Sequence, residues 1–231
     1  MKDEAQYFTE LGFQSVKIKI GSAALADDVR RVETVLAVLG KGELLAVDAM
    51  NSYSPKSALE AVHALQPYQL RWFGDICDPL DYETHRDIVE VYALPVSAGE
   101  ALFSLADARN LLRYSGLRAG HVVLTFDPAH CSGLPKYWRI IKLFENNGWS
   151  RRDFQPHGGH LFGLHVAAGL GLGGCECNPH NFQPFGGFSD GHKIAAGTTQ
   201  PPEALGIGFE TRARAFLNNP ESFSNILLRR L

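Results

Sequence analysis

What the chain lacks narrows its class first. No run of about 18 uncharged apolar residues occurs, so no membrane-spanning helix is expected. The first residues, MKDEAQYFTELGF, are acidic where a secretory leader would be basic and then apolar, which makes the cytoplasm the expected location. An excess of positive charge is also missing. The formal net charge is -3, so there is no basic face of the kind that binds nucleic acid or an anionic membrane, and a small molecule is the expected partner. Cysteines number four in 231 residues (Cys77, Cys131, Cys175, Cys177), too few for a disulfide framework and without a second pair at zinc-ribbon spacing. They read as reduced, mostly buried thiols. Low-complexity tracts are absent, and the length suits one domain with one core.

What is present is an alternation. QSVKIKI, ELLAVDA, LRWFGD, LPVSAGE, GHVVLTFD, RDFQPH and GGCECN read as short strands. Between them lie stretches with helical spacing: ALADDVRRVETVLAVLG, SALEAVHALQPY, YETHRDIVEVYA, LADARNLLRYSG, PKYWRIIKLFENNG and LFGLHVAAGLG. Such regularity predicts parallel strands joined by right-handed crossovers, in a doubly wound sheet or a (β/α) barrel. Lys19, Asp48, Glu100, Asp127, His157 and Glu176 fall at or just past the carboxyl ends of successive predicted strands. In a barrel those ends converge on one mouth, whereas in an open sheet they spread along a line, so the barrel is favoured.

Each group has two readings. Lys17 and Lys19 point to the same side of a strand, where mutual repulsion and desolvation would lower a lysine pKa and make a general base; they could equally be solvated lysines guarding a sheet edge. Asp48 and Glu100 could hold a hard divalent ion, Mg2+ being the natural one, or could serve helix amino termini. Asp127 could orient His157 and raise its pKa so that it donates a proton. His160 and His165, in HGGHLFGLH, lack the glutamate of a zinc-protease helix and read as local packing or hydrogen-bonding residues.

Taken in order, K-x-K, VDA, GE, an Asp, PHGGH and a final Glu resemble the enolase superfamily, mandelate racemase subgroup. The longer strings WFGDICDPLDYE, SAGEALFSLADARNLLRYSG, PHGGHLFGLHVAAGLGLGG and QPFGGFSDG resemble the D-tartrate dehydratases within it, from about Gly12 to Phe209. The resemblance implies an incomplete TIM-type (β/α) barrel over residues 1–231, lacking the family's amino-terminal α+β capping domain and first barrel strand, with a homo-oligomer compatible. It implies Mg2+-assisted dehydration of an acid sugar such as D-tartrate, to oxaloacetate, by α-proton abstraction and β-elimination of hydroxide. Lys19 then matches the base and Lys17 the lysine that tunes it. Asp48 and Glu100 match the first and third metal ligands, Asp127 and His157 the acid dyad, and Glu176 a residue near the substrate carboxylate.

Two departures stand out. Gly74 occupies the expected position of the second metal ligand, midway in sequence between Asp48 and Glu100. The neighbouring Asp75 points to the other face of a regular strand and would substitute only if the backbone bends there. With Gly74 in place of a carboxylate, Mg2+ is expected to bind more weakly than in a three-carboxylate relative, and Gly74→Glu to tighten it. Met50 stands where relatives often carry an asparagine, with Asn51 one place later. These departures, with the missing cap, leave open an inactive remnant acting as a binding or interaction module.

Overall fold

The structure is a computed structural model that describes residues 1–179, 188, 192–203 and 206–208. The string QPFGGFSDG therefore lies outside the described residues except for Phe188. A leading helix, α1 (Lys2–Glu10), has no counterpart in the alternation read above. It is followed by β1 (Val16–Lys19), α2 (Leu25–Leu39), β2 (Leu45–Asp48), α3 (Pro55–Leu65) and β3 (Trp72–Gly74). Next come α4 (Tyr82–Val91), β4 (Val96–Ala98), α5 (Leu105–Tyr114), β5 (Val122–Leu124), α6 (Leu134–Glu145) and α7 (Leu161–Leu170).

The helix boundaries follow from local chemistry. Ser54 accepts from the Ser57 amide ahead of Pro55, whose missing N–H costs nothing in a first turn. Asp81 caps α4 through the Thr84 amide, and Ser104 with Asp107 forms a reciprocal capping box on α5. Each helix turns an apolar stripe to the sheet. Val32 and Val35 of α2, Ala58, Ala61, Val62 and Leu65 of α3, Ile88 of α4, Leu111 of α5, and Ile140, Ile141 and Phe144 of α6 are all buried in one core.

The five strands form one parallel sheet in the order β1-β2-β3-β4-β5. All four residues of β2 are buried, as expected for a strand covered on both faces. RDFQPH and GGCECN, expected as two further strands, do not form ladders. Ser150 and Asp153 instead cap a 3-10 turn over Arg151–Asp153, and Pro156 has no N–H to offer. Gly173 and Gly174 weaken the last segment as a strand. Single backbone bonds nevertheless carry the parallel course onward. Leu124 O accepts from Gln155 N at 3.0 Å, Phe154 O from Gly173 N at 3.1 Å, and Pro156 O from Glu176 N at 3.0 Å.

The circle is completed by charge. Lys17 on β1 forms an ion pair with Glu176 on the last segment. In an open sheet the first strand and the last segment would lie at opposite edges, so this contact makes the architecture an incomplete barrel rather than a doubly wound sheet. Between them, where no strand among the described residues pairs with the outer edge of β1, lies a cavity of about 840 Å3.

Phe154 anchors the segment that replaces a sixth described strand. Fully buried, it stacks on Phe126 (ring centroids 6.2 Å apart) and meets Tyr137 and Phe144 edge-on at 6.2 and 5.5 Å. Phe154→Ala is expected to cost about 3–5 kcal/mol, read as a lowered urea midpoint. An unchanged midpoint would show that the aromatic cluster does not hold this segment.

Candidate active site

The strand ends place the polar residues. Lys17 and Lys19, two apart on β1, both enter the mouth and both meet Asp48 at the end of β2, at 3.0 and 2.6 Å from its Oδ2. The other Asp48 oxygen accepts from Met50 N at 2.9 Å. Glu100, just past β4, lies 3.7 Å from Lys17 and 3.6 Å from Lys19. His157 Nε2 lies 3.7 Å from the same Glu100 Oε1, so base candidate and acid candidate flank one carboxylate from two sides.

Asp75 is the position where regular strand geometry fails. Its φ is 46°, in the left-handed region that costs a non-glycine residue roughly 1–3 kcal/mol. The bend is held by neighbours: Asp75 N donates to Ser97 O at 3.1 Å, while Asp75 O accepts from Asn51 N at 2.6 Å and Ile76 O from Tyr53 N at 3.1 Å. It turns Asp75 inward, where one oxygen each from Asp48, Asp75 and Glu100 lie within 4.8 Å of one another, all three residues buried. The backbone thus brings in the acid that a straight strand would have pointed away. Gly74 has no room for a carboxylate, since a Cβ there would strike Ser97 Oγ and come within 2.9 Å of the Trp72 ring. These contacts speak against the expectation that Gly74→Glu tightens metal binding.

The charge balance explains the pKa directions. Four carboxylates (Asp48, Asp75, Glu100, Glu176) face two ammonium groups (Lys17, Lys19), leaving an excess of negative charge. Burial first, then Glu100 and Asp48, push Asp75 well above the usual carboxylate range, against the pull of Lys17 and Lys19. For Asp48, burial opposes ionisation, but the two lysines outweigh it and its pKa is lowered. Lys17 is the reverse of the sequence expectation. Burial disfavours its charge, yet Glu176, Asp48 and Glu100 together outweigh burial, and its pKa is raised.

These residues fit a hard divalent cation. Asp75 Oδ2 is buried and accepts no hydrogen bond, and Glu100 Oε2, also without one, has the Lys17 ammonium 3.7 Å away; a buried carboxylate oxygen with no partner is costly unless a cation meets it. Across the mouth, His157 Nδ1 lies 3.2 Å from Asp127 Oδ2. Burial works against the imidazolium, but the Asp127 bond, Glu100 and Glu176 raise the His157 pKa, while His157 and His160 hold Asp127 well below the carboxylate range. His160 is a local anchor: its Nδ1 accepts from Gly163 N at the start of α7, and its Nε2 lies 3.3 Å from both Asp127 oxygens. His165 lies 3.0 Å from Ile207 O. Gly158, at φ 97°, donates its N–H to Glu176 at 3.0 Å. His130, which the sequence pattern did not single out, also reaches this side of the mouth, its ring 5.5 Å from that of His157. It lies just past a strand end, three residues after Asp127, and that was the available signal.

The enolase C-terminal domain-like family matches residues 1–215. The chain belongs to that family. Arabinonate dehydratase of Saccharolobus solfataricus is 27% identical over 94% of this chain and 58% of its own length. The 3,6-anhydro-alpha-L-galactonate cycloisomerase of Streptomyces coelicolor is 29% identical over 74% of this chain and 45% of its own. Among solved structures, L-talarate dehydratase from Polaromonas sp. JS666, complexed with Mg and L-glucarate, superposes with a TM-score of 0.76 at 25% identity. That match covers 90% of this chain and 56% of the other. The chain therefore spans about half the length of the relatives it matches.

Asp75→Asn should weaken Mg2+ binding tenfold or more, a change of about 1.4 kcal/mol, and Gly74→Glu should lower stability without tightening it. Titration calorimetry and thermal melts decide, and tighter binding by Gly74→Glu would refute the assignment of Asp75. A second expectation concerns the metal-free protein. Because the folded-state pKa of Asp75 is raised, its contribution to stability is fully present below the ordinary pKa of 3.8 and is lost as pH rises through the folded value. Stability of the metal-free protein should therefore fall relative to Asp75→Asn as pH rises from about 4 towards neutrality. Parallel pH profiles of the two proteins would contradict this.

Proposed function

We propose that this chain carries the catalytic mouth of a Mg2+-dependent acid-sugar dehydratase. The single observation behind the reading is the buried carboxylate set Asp48, Asp75 and Glu100, lying between Lys19 on one side and the Asp127–His157 pair on the other. Asp48, Asp75 and Glu100 would hold the cation, which supplies positive charge opposite the dianion formed when a carboxylate loses its α-proton. Of the features that leave an inactive reading open, the absent carboxylate at Gly74 is the one that an inward-turned Asp75 would answer.

The chain's own groups then divide the work. Lys19 Nζ, once the carboxylates no longer need it as a counter-ion, takes the α-proton, and the C–H electron pair enters the carboxylate as an enediolate. Lys17, charged and paired with Glu176, opposes the negative charge of the substrate carboxylate. His157, kept protonated by Asp127, gives its proton to the β-hydroxyl, which leaves as water. The enol that remains tautomerises to a 2-keto acid. With D-tartrate, the substrate indicated by the longer resemblance, the product is oxaloacetate. The arabinonate and L-talarate dehydratases among the relatives support a polyhydroxy acid more generally.

Incubation with Mg2+ and a panel of tartrates and aldarates in D2O tests the reading. Lys19→Ala should lower both α-deuterium exchange and keto-acid formation by at least about 10²–10⁴-fold. His157→Asn should abolish keto-acid formation while retaining exchange. Inversion at the α-carbon, or ring formation, without any keto acid would show a racemase or cycloisomerase instead.

A further inference from the structure

Beside the carboxylate set lies a group of different chemistry. Asp127, His130 and His157 each offer a ligand atom, and these atoms all lie within 4.8 Å of one another. We propose that they form a second cation site, selective for a borderline ion such as Zn2+ or Co2+, and that an ion held there withdraws His157 from proton donation. The inhibitory half rests on the dehydratase reading above, whereas the site itself does not.

The donor set sets the preference. Two imidazoles and one carboxylate suit Zn2+ or Co2+, while the all-oxygen set of Asp48, Asp75 and Glu100 suits Mg2+. Spacing agrees: Asp127 Oδ2 and His157 Nδ1 are 3.2 Å apart, and an ion bound between them would release to solvent the proton they share. Two ligands at about 2.0–2.1 Å from a tetrahedral zinc stand roughly 3.3 Å apart.

The outer partners already orient the ligands. His130 Nδ1 lies 3.1 Å from Glu100 O, which can only accept, so Nδ1 carries the hydrogen and Nε2 keeps the lone pair that a metal needs. Phe103 packs edge-on against the same ring at 5.4 Å. Asp127 is fixed by Ala129 N at 2.7 Å on Oδ1 and by His160 Nε2 on both oxygens. Because His160 Nδ1 accepts from Gly163 N, its Nε2 bears a hydrogen and steadies the carboxylate from outside the site. His130 is exposed, which gives an ion entry and leaves a coordination position for solvent. The Asp127–His157 pair accounts for proton donation by itself, and His130 is the member that turns the pair into a three-ligand set.

The experiment adds Co2+ to protein saturated with Mg2+ and follows visible d–d absorption. Tight Co2+ uptake with a four- or five-coordinate spectrum is expected, lost by about 100-fold or more in His130→Ala and partly kept in His130→Asp, which retains a ligand. If the ring only packs against Phe103, both variants should behave alike, and that result would overturn the site. So would absence of Co2+ uptake, or uptake that His130→Ala leaves unchanged. Zn2+ should suppress keto-acid formation by the wild type at concentrations that spare His130→Ala. Zn2+ binding without that suppression would overturn the inhibitory half alone, and absence of keto acid in zinc-free buffer would count against the dehydratase reading without touching the site.

Discussion

Carboxylates confined in one poorly hydrated mouth repel one another, and the arrangement around them depends on how that repulsion is met. Lys17 and Lys19 meet it in part, which is why Asp48 keeps its charge easily and Lys17 holds its proton tightly. Asp75 is the acid left over: burial first, then Glu100 and Asp48, raise its pKa against the pull of the two lysines. A divalent cation among these carboxylates would relieve their mutual repulsion.

That electrostatic demand is also architectural. The sheet has only five paired strands among the described residues, and the segments after β5 follow its curvature by isolated backbone bonds. The Lys17–Glu176 ion pair joins the two ends of this incomplete circle, so a charge pair stands where a closed barrel would use a ladder. Aromatic packing around Phe154 does the corresponding work inside the core.

Membership of the enolase C-terminal domain-like family fits both features. The two sides of the mouth are chemically distinct: lysines on β1, and a carboxylate-paired imidazole beyond β5, with Glu100 between them. In the proposed reading, a base and an acid on either side of a charge-stabilising centre would move protons at carbons next to carboxylates.

Residue order alone determined the α/β alternation and the ends of the strands that carry Lys19, Asp48, Glu100 and Asp127, because period-two and helical spacing, together with turn residues, are local properties. It also determined that Gly74 could not be a ligand. Whether Asp75 turns towards Asp48 and Glu100 was decided by tertiary structure, since the left-handed bend at Asp75 is held by amides from Asn51 and Tyr53 and a carbonyl from Ser97, all distant in sequence. Tertiary contacts likewise decided that Lys17 is stabilised as a cation, because three carboxylates from other segments surround it and outweigh its burial. The last two expected strands failed for a shared reason: whether a short segment forms a ladder depends on the neighbour it meets, and Pro156, Gly173 and Gly174 leave each of them only single bonds to make.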